Sequence, residues 1–158
     1  IIILDKLNNL EEILEQLVEF TGKLFEVKID SNLQIPAYSL IDTDFRGTPR
    51  NTILINDRLI PMNNKSILAH ILSHEYGHHI YEHVKINPTH LNPQQLEHIE
   101  NEADFHALMF IEKYNYNKDE IIRFIADTSV NKDISRSRID ILCGNISIIE
   151  DKVDILSY

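Results

Sequence analysis

The residues with the clearest chemical potential are the two histidines and the glutamate of the segment His74-Glu75-Tyr76-Gly77-His78. On a helix, residues four positions apart lie on the same face, so His74 and His78 could bind one metal ion together. Glu75 lies about 100° around the helix from His74, where its carboxylate could take a proton from a metal-bound water. Such a group can then return the proton to a leaving amine. The H-E-x-x-H pattern therefore predicts metal-assisted hydrolysis of a peptide bond.

The motif lies in the middle of an apolar stretch with helical periodicity, Ser66 to Val84, which predicts one helix. The alternative is a chance occurrence on a surface helix that carries two solvated histidines. Gly77 favours the functional interpretation, because a glycine inside a helix costs about 1 kcal/mol relative to alanine. Such a glycine needs a reason, and close approach of a neighbouring backbone or of a substrate would provide one.

Two other histidine pairs on this helix share the four-residue spacing but lack a base. In the pairs His70/His74 and His79/His83, the position after the first histidine is isoleucine. Only His74/His78 combines two ligands with a glutamate at that position. His70 lies on the same face one turn earlier, so a role beside the ligands or on the substrate side is possible. Solvated or half-buried side chains are expected for His79, His83 and His90.

A catalytic zinc site has three protein ligands and a water, so a third ligand is needed. A histidine ten positions after His74, as in metzincins, is excluded because that position is Val84. The stretch Asn92 to Tyr114 predicts a second helix, with Asn92 as N-cap, Pro93 at the first helical position and Gln95 completing a capping box. Its apolar stripe consists of Leu96, Ile99, Ala103, Ala107, Phe110 and Ile111.

Three glutamates on this second helix could supply the third ligand, and helical phase separates them. Glu100 borders the buried stripe beside two alanines, which leave room for the metal-binding helix. Glu102 faces nearly the opposite side, and Glu97 lies roughly 60° outside Glu100, so both are expected on a solvated face. Asp104 shares the face of Glu100 and could accept a hydrogen bond from the outer nitrogen of a ligating histidine. The expected metal set is His74, His78 and Glu100, supported by Asp104.

Two motifs together carry a resemblance to a known group of enzymes. His74-Glu75-Tyr76-Gly77-His78 followed by Glu100-Asn101-Glu102-Ala103-Asp104 resembles the H-E-x-x-H and downstream E-x-x-A-D/N of gluzincins. The nearest resemblance, over about Ile53 to Met109, is to the ImmA/IrrE family of small bacterial metallopeptidases. That family usually has asparagine at the position of Asp104, and the aspartate makes the second motif also similar to that of membrane-embedded gluzincins. The family usually has phenylalanine at the position of His106.

The resemblance to ImmA/IrrE implies a zincin-like fold and one zinc ion, Zn2+, as cofactor. It implies that His74, His78 and Glu100 hold the ion, that Glu75 is general base and then general acid, and that Asp104 orients a histidine. It further implies a zinc-dependent endopeptidase whose protein substrate is a DNA-binding repressor of the helix-turn-helix class. Such a repressor would belong to a mobile element or a stress regulon and would be cut at one site.

Length and composition agree with a soluble enzyme of this kind. A chain of 158 residues is most simply one domain, and residues 1–158 are expected to form it. The net charge of −10 argues against direct binding of nucleic acid. One cysteine, Cys143, excludes an internal disulfide and fits a cytoplasmic location, with the thiol expected to be buried. The apolar opening, Ile1 to Leu4, is too short for a membrane span and lacks the basic leader of a signal peptide. Because the sequence has no initiator methionine, the chain is expected to begin inside a longer protein.

The remaining segments predict the scaffold of an α+β protein, mostly helical, with a small β-sheet beside the metal-binding helix. An amphipathic helix is expected over Asp5 to Phe25, and short strands over Phe25 to Ile29, Tyr38 to Ile41 and Thr52 to Ile55. The last strand is the candidate substrate-binding edge, with a plain core strand as the alternative. The residues of that candidate edge are Thr52, Ile53, Leu54, Ile55 and Asn56.

The C-terminal part predicts further helices. One opens with a capping box at Asn117 and runs to about Ala126, and another runs from Ile134 to Cys143. The tail, Ile146 to Tyr158, could be a strand or a docking segment. The expected parts are thus residues 1–25 for the first helix, 25–57 for the sheet, 63–114 for the metal-binding helices and 117–158 for a helical C-terminal region.

Three alternatives to a repressor-cutting enzyme remain at this point. The chain could be a peptidase of another class that acts on general peptides, a metal-dependent module that displaces a repressor without cutting it, or a toxin–antitoxin component with a structural metal. A structural site usually has four protein ligands, and no fourth is evident. The oligomeric state is left open. The sequence offers five candidates for the donor that would stabilise an oxyanion and favours none of them: Tyr76, Tyr81, His106, Tyr114 and Tyr116.

Overall fold

The computed structural model describes residues 2–129 and 131–144, with the side chains of 2–5 left aside. The tail from residue 146 onward, expected as a strand or docking segment, lies outside the described residues. The described chain has five α-helices and three β-strands, so the expected mostly helical α+β class is confirmed. In chain order the elements are α1 (Ile2–Thr21), β1 (Glu26–Ile29), β2 (Ala37–Thr43), β3 (Pro49–Ile55), α2 (Lys65–Ile80), α3 (Pro93–Lys113), α4 (Lys118–Thr128) and α5 (Lys132–Leu142).

The three strands form one sheet in which β3 lies in the middle. β1 pairs with β3 in parallel, and β2 pairs with β3 antiparallel, with Ser39 opposite Ile53. The prediction that Thr52, Ile53, Leu54, Ile55 and Asn56 form a substrate-binding edge is therefore wrong, because the strand has a neighbour on each side. Ile53 and Ile55 are fully buried in the core, as the alternative interpretation required. The strand that leaves an edge open beside the cleft is β2.

The two central helices, α2 and α3, pack against each other more closely than ordinary side chains allow. A methyl group built on Gly77 would lie 3.0 Å from the Cα of Ala103 and 3.1 Å from the Cβ of His106. The close approach of a neighbouring backbone, one of the two reasons expected for a glycine inside α2, is therefore found. Together with Ala107, which is fully buried, Ala103 gives α3 the smooth surface that this approach requires.

Helix α2 is buried on nearly all sides, which explains why it lacks a marked apolar face. It begins after the N-cap Asn64, whose side chain accepts a hydrogen bond from the backbone N–H of Ile67. It ends at Ile80, four residues before the predicted end at Val84. The chain turns there because Glu82 adopts a left-handed conformation, with φ at 60°, and a short 3-10 helix follows at His83–Lys85.

The second helix of the pair, α3, begins as the sequence predicts. Asn92 is the N-cap, Pro93 occupies the first turn, and Asn92 and Gln95 form a capping box. Helices α1, α4 and α5 pack around the pair, and α4 starts after the predicted cap residue Asn117. The prediction that the thiol of Cys143 is buried is wrong, because Cys143 is exposed just beyond the end of α5. No helix among residues 2–129 and 131–144 has the length and apolar composition needed to cross a membrane.

Candidate metal centre and cleft

A cleft of about 670 Å3 lies between β2, α2 and the helices that follow, and the H-E-x-x-H residues form part of its wall. On one side it is lined by the backbone and side chains of β2. On the opposite side it is lined by apolar side chains from α3 and α4. The residues that face it from α2 are His70, Ile71, His74, Glu75 and His78, and those from α3, α4 and α5 are Leu96, Ile99, Glu100, Phe124, Ile125, Thr128 and Arg138.

Three predicted ligands meet at this cleft. The Nε2 atoms of His74 and His78 lie 3.1 Å apart. Glu100 Oε2 lies 3.1 Å from His74 Nε2, and Glu100 Oε1 lies 3.5 Å from His78 Nε2. Both imidazoles are largely buried, whereas the side chain of Glu100 is 57% exposed at the opening of the cleft. The two helices thus bring together residues that are 26 positions apart in the sequence.

The spacing of these atoms suits a tetrahedral zinc ion. With zinc–ligand bonds of about 2.0–2.1 Å, two ligand atoms of a tetrahedron lie about 3.3 Å apart. The three separations given above fall on both sides of this value. Two imidazole nitrogens and one carboxylate are also a donor set that zinc accepts in catalytic sites. The residues present therefore fit the metal that the sequence predicts.

The base Glu75 lies beside the two histidines. The ligand atoms of His74, Glu75 and His78 all lie within 4.8 Å of one another, so this group could hold a metal ion. Glu75 is 6% exposed, and its Oε2 accepts a hydrogen bond of 2.8 Å from the hydroxyl of Ser39 on β2. Its second oxygen, Oε1, makes no hydrogen bond with any residue that the structure describes. One carboxylate oxygen is thus anchored by the sheet while the other stays available.

His74 is held from behind by Asp104, as the sequence predicts. Its Nδ1 lies 2.7 Å from Asp104 Oδ1, so the ring donates there and leaves Nε2 facing the cleft. Burial alone would lower the pKa of His74, but the carboxylates of Asp104 and Glu100 outweigh it and raise that pKa to about 10. Likewise, burial alone would raise the pKa of Glu100, but its contacts with the imidazoles of His74 and His78 hold that pKa below its ordinary value. The negative charge that favours a proton on His74 would equally favour a metal cation.

Asp104 has a second partner that sequence reasoning missed. Arg138 on α5 donates from Nε to Asp104 Oδ2 at 3.0 Å and from a terminal nitrogen to Oδ1 at 3.1 Å. Asp104 is 1% exposed, and burial alone would raise its pKa. The positive charge of Arg138 and the contact with His74 lower the pKa of Asp104 well below its ordinary value instead. Asp104 therefore stays ionised and can accept from both sides.

His78 is held by a different chain of groups. Its Nδ1 lies 3.0 Å from Nδ1 of His83, and His83 Nε2 lies 3.0 Å from Glu102 Oε1. The expectations for His83 and Glu102 were therefore wrong. His83 is 8% exposed rather than solvated or half-buried, and the Glu102 side chain is 26% exposed and bonded rather than on a solvated helix face. Glu97 and His90 are exposed, as expected.

The other histidines of α2 and α3 are buried, each in its own surroundings. His79 lies 2.8 Å from the carbonyl oxygen of Thr52, so its predicted solvated or half-buried position was wrong. His106 lies against the carbonyl oxygen of Ser73, at 2.8 Å, inside the α2–α3 contact. His70 faces the cleft, and its Nε2 has no hydrogen-bond partner in the part of the chain that the structure describes. Burial lowers the pKa of His70 to about 3, so its ring is neutral.

None of the five residues considered as oxyanion donors lines the cleft as the structure describes it. Tyr76 is buried and its hydroxyl accepts from the backbone N–H of Phe25. Tyr114 and Tyr116 both bond to Gln16 of α1. Of the remaining two, Tyr81 stacks its ring on His83 and is 41% exposed outside the cleft lining, and His106 is held as described above. Two further polar side chains that line the cleft, outside the predicted site, are His70 and Arg138.

The residues that sequence reasoning missed are Ser39, Arg138 and the pair His83 and Glu102. Ser39 lay in a predicted strand, Tyr38 to Ile41. Which side chains of a strand point toward a helix cannot be inferred until the order of the strands in the sheet is known. Arg138 lay in the predicted helix from Ile134 to Cys143, and its spacing from Asp104 carries no local signal. Comparisons of the chain with protein-family models, curated proteins and solved structures give no match.

Proposed function

We propose that this chain is a zinc-dependent endopeptidase, with His74, His78 and Glu100 as metal ligands and Glu75 as the catalytic base. The observation that carries the proposal is the position of Glu75 beside the two histidines. One carboxylate oxygen of Glu75 and one imidazole nitrogen each of His74 and His78 lie within 4.8 Å of one another, and all three residues line the cleft. A surface helix with unrelated histidines would need neither the buried base nor the ionised Asp104 behind His74.

The protein's own groups account for the proton transfers of the reaction. Zinc, when bound, would polarise the scissile carbonyl and lower the pKa of the attacking water toward about 7. Glu75 Oε1, the oxygen that Ser39 does not occupy, takes the proton of that water. The same oxygen then delivers it to the nitrogen of the leaving amine. Ser39 holds Oε2 throughout, so the carboxylate does not rotate between the two transfers.

The substrate that the cleft accommodates is an extended peptide. Strand β2 runs along the cleft with one edge unpaired among the described strands, so its backbone N–H and C=O groups can pair with an added strand. The apolar side chains on the opposite wall, which include Leu96, Ile99 and Phe124, favour apolar residues next to the scissile bond. A protein partner, rather than nucleic acid, also agrees with the net charge of −10.

The specific substrate we propose is a helix-turn-helix repressor of a mobile element or stress regulon, cut in the cytoplasm at one site. This part of the proposal rests on the resemblance to ImmA/IrrE. The acidic chain is complementary in charge to a basic DNA-binding domain. A module that displaces the repressor without cutting it would use the same surface, and only the chemistry at Glu75 separates the two functions.

The experiment that tests the proposal compares the wild type with Glu75→Gln, each loaded with zinc. Each protein is incubated with candidate repressors from neighbouring genes and with a library of peptides derived from a proteome, and products are identified by mass spectrometry. Glu11→Gln, on an exposed part of α1, is the matched control. We expect fragments from the wild type and the control alone, with zinc binding retained in Glu75→Gln.

Each result of this experiment decides one part of the proposal. Cleavage of a repressor at one bond supports it as a whole. Cleavage of many library peptides supports a general peptidase and overturns the repressor assignment. A repressor that binds both the wild type and Glu75→Gln and stays intact, together with an uncut library, overturns the peptidase in favour of a binding module.

A further inference from the structure

A chain of polar side chains runs from His78 on α2, through His83 in the 3-10 helix, to Glu102 and His98 on α3. His78 Nδ1 lies 3.0 Å from His83 Nδ1, and His83 Nε2 lies 3.0 Å from Glu102 Oε1. His98 Nε2 lies 3.1 Å from the same carboxylate oxygen. The three imidazole side chains are 6 to 12% exposed, so water can contribute little to their hydrogen bonding.

The direction of each hydrogen bond in this chain follows from what its groups can donate. An ionised carboxylate only accepts, so the proton between His83 and Glu102 must be on His83 Nε2. The hydrogen bond to His78 then falls on His83 Nδ1, whose lone pair accepts when that nitrogen carries no proton. The proton between the two histidines must therefore be on His78 Nδ1. The remaining nitrogen of His78, Nε2, is left without a proton, and this is the atom that faces His74 and Glu100.

The fold fixes the position of His83 by more than this hydrogen bond. Helix α2 stops at Ile80, and the left-handed turn at Glu82 brings the chain back toward the helix end. Such a conformation is unfavourable for a residue other than glycine, so the surrounding structure must hold it. The backbone N–H of Glu82 bonds to the carbonyl of His79 at 3.1 Å, and the ring of Tyr81 stacks on His83 with 5.8 Å between centroids. His83 is thereby presented to His78 as a fixed acceptor.

We propose that His83, oriented by Glu102, is a positioning residue that keeps the proton of His78 on Nδ1 and so leaves Nε2 free to bind the metal. His83 does for the second histidine what Asp104 does for the first, with an imidazole nitrogen in place of a carboxylate oxygen. The inference rests on the proposed metal site. It assigns a purpose to a histidine that lies outside the H-E-x-x-H motif and to a glutamate that lies beside the third ligand.

Two substitutions of His83 separate positioning from packing. His83→Phe keeps an aromatic ring and removes the acceptor, whereas His83→Asn places a carbonyl oxygen near the position of Nδ1 and keeps it. We expect zinc affinity, measured by competition with a chromophoric chelator, to fall roughly 10- to 100-fold in His83→Phe and to be largely retained in His83→Asn. His90→Phe, at an exposed histidine on the same connecting segment, is the matched control and should bind zinc as the wild type does.

The protonation of His78 can be measured in the wild type without any substitution. Long-range 15N–1H correlation spectra of the zinc-loaded protein should show a proton on Nδ1 of His78 and on Nε2 of His83. A proton on Nδ1 of His83, or a His78 bound to zinc through Nδ1, would overturn the inference. This measurement remains decisive if His83→Phe does not fold.

Failure of this inference is distinguishable from failure of the proposed function. If the wild type binds no zinc, the proposed metal site itself is wrong. If the wild type binds zinc and both His83 variants bind it equally well, the site stands and only the role of His83 is overturned. Equal loss in both variants, with unchanged thermal stability, would also contradict the inference, because His83→Asn retains an acceptor.

Discussion

The chemistry of this cleft depends on which oxygen or nitrogen of each side chain is already engaged. His74 is bonded through Nδ1, and Glu75 is bonded through Oε2. In each case one atom is fixed by a neighbour and the other faces the cleft. A neighbour that fixes one atom therefore also selects which atom is available for a metal or a proton.

Replacing Ser39 by alanine tests this selection at the base. Ser39→Ala removes the hydroxyl that holds Glu75 Oε2, so the carboxylate gains freedom to rotate. A hydrogen bond to a charged group contributes about 1.5 to 3 kcal/mol, so we expect kcat/KM for a cleaved peptide to fall at least ~10-fold. Zinc affinity should be unchanged, because no bond to His74, His78 or Glu100 is lost. Thr43→Ala, at an exposed position of the same strand, is the control, and a parallel fall in zinc affinity would contradict the positioning of the base.

Replacing Arg138 tests the charge balance behind His74. Arg138→Met leaves the buried carboxylate of Asp104 without its cationic partner, and we expect the free energy of unfolding to fall by roughly 3 kcal/mol. Adding Asp104→Asn removes the unbalanced charge and should restore part of that loss. Urea denaturation measures both, with Arg136→Met at an exposed arginine of α5 as control. Equal stability of Arg138→Met and the control would show that the ion pair adds nothing.

Helices α2 and α3 determine how near the two halves of the proposed ligand set can come. His74 and His78 lie on α2, and Glu100 lies on α3, so their separation depends on the spacing of the helices. Gly77 lies between the two histidines and opposite Ala103, where a side chain on α2 would meet the backbone of α3. The smallest residue of the motif is therefore the one that limits the distance across the site.

Gly77→Ala is expected to separate the helices. The new methyl group would lie 3.0 Å from the Cα of Ala103, an atom that cannot move without moving α3. Overpacking of this kind outweighs the helix propensity gained, so we expect the free energy of unfolding to fall by about 1 to 2 kcal/mol. Zinc affinity should fall with it, since Glu100 moves away from the histidines. A variant with wild-type stability and zinc affinity would contradict this account of the glycine.

The sequence allowed prediction of those features that depend on periodicity along a single helix. The spacing of His74 and His78, the capping box at Asn92 and the phase of Glu100 follow from positions along one helix, and the structure places them accordingly. The order of the strands, and hence which one lies at the edge, depends on contacts between distant segments. The partners His83 and Arg138 were missed for the same reason, because a turn and a separate helix bring them in.

For the molecule as a whole, the proposed site joins the sheet to three of the helices. Ser39 comes from the sheet, the motif from α2, Glu100 and Asp104 from α3, and Arg138 from α5. A metal ion bound by α2 and α3 would therefore stabilise the fold in addition to supplying chemistry. The folded chain would bind zinc through a preformed set of ligands that the unfolded chain lacks.

Thermal unfolding tests this coupling between metal and fold. At free zinc 100 times the dissociation constant, binding adds about 2.7 kcal/mol, so we expect Tm to rise by roughly 5 to 10 °C. His78→Ala should show no such rise, whereas His90→Ala, at an exposed histidine, should behave as the wild type. An equal rise in all three proteins would indicate binding elsewhere on the chain.

The exposed cysteine at the end of α5 makes the site accessible to spectroscopy. Cys143 is the only cysteine in the sequence, so a thiol-reactive spin label or fluorophore would attach at one position without any engineering. The same helix carries Arg138, which reaches the carboxylate behind His74. The mobility of a probe on Cys143 would therefore report, in solution and in real time, whether α5 tightens when a metal or a peptide enters the cleft.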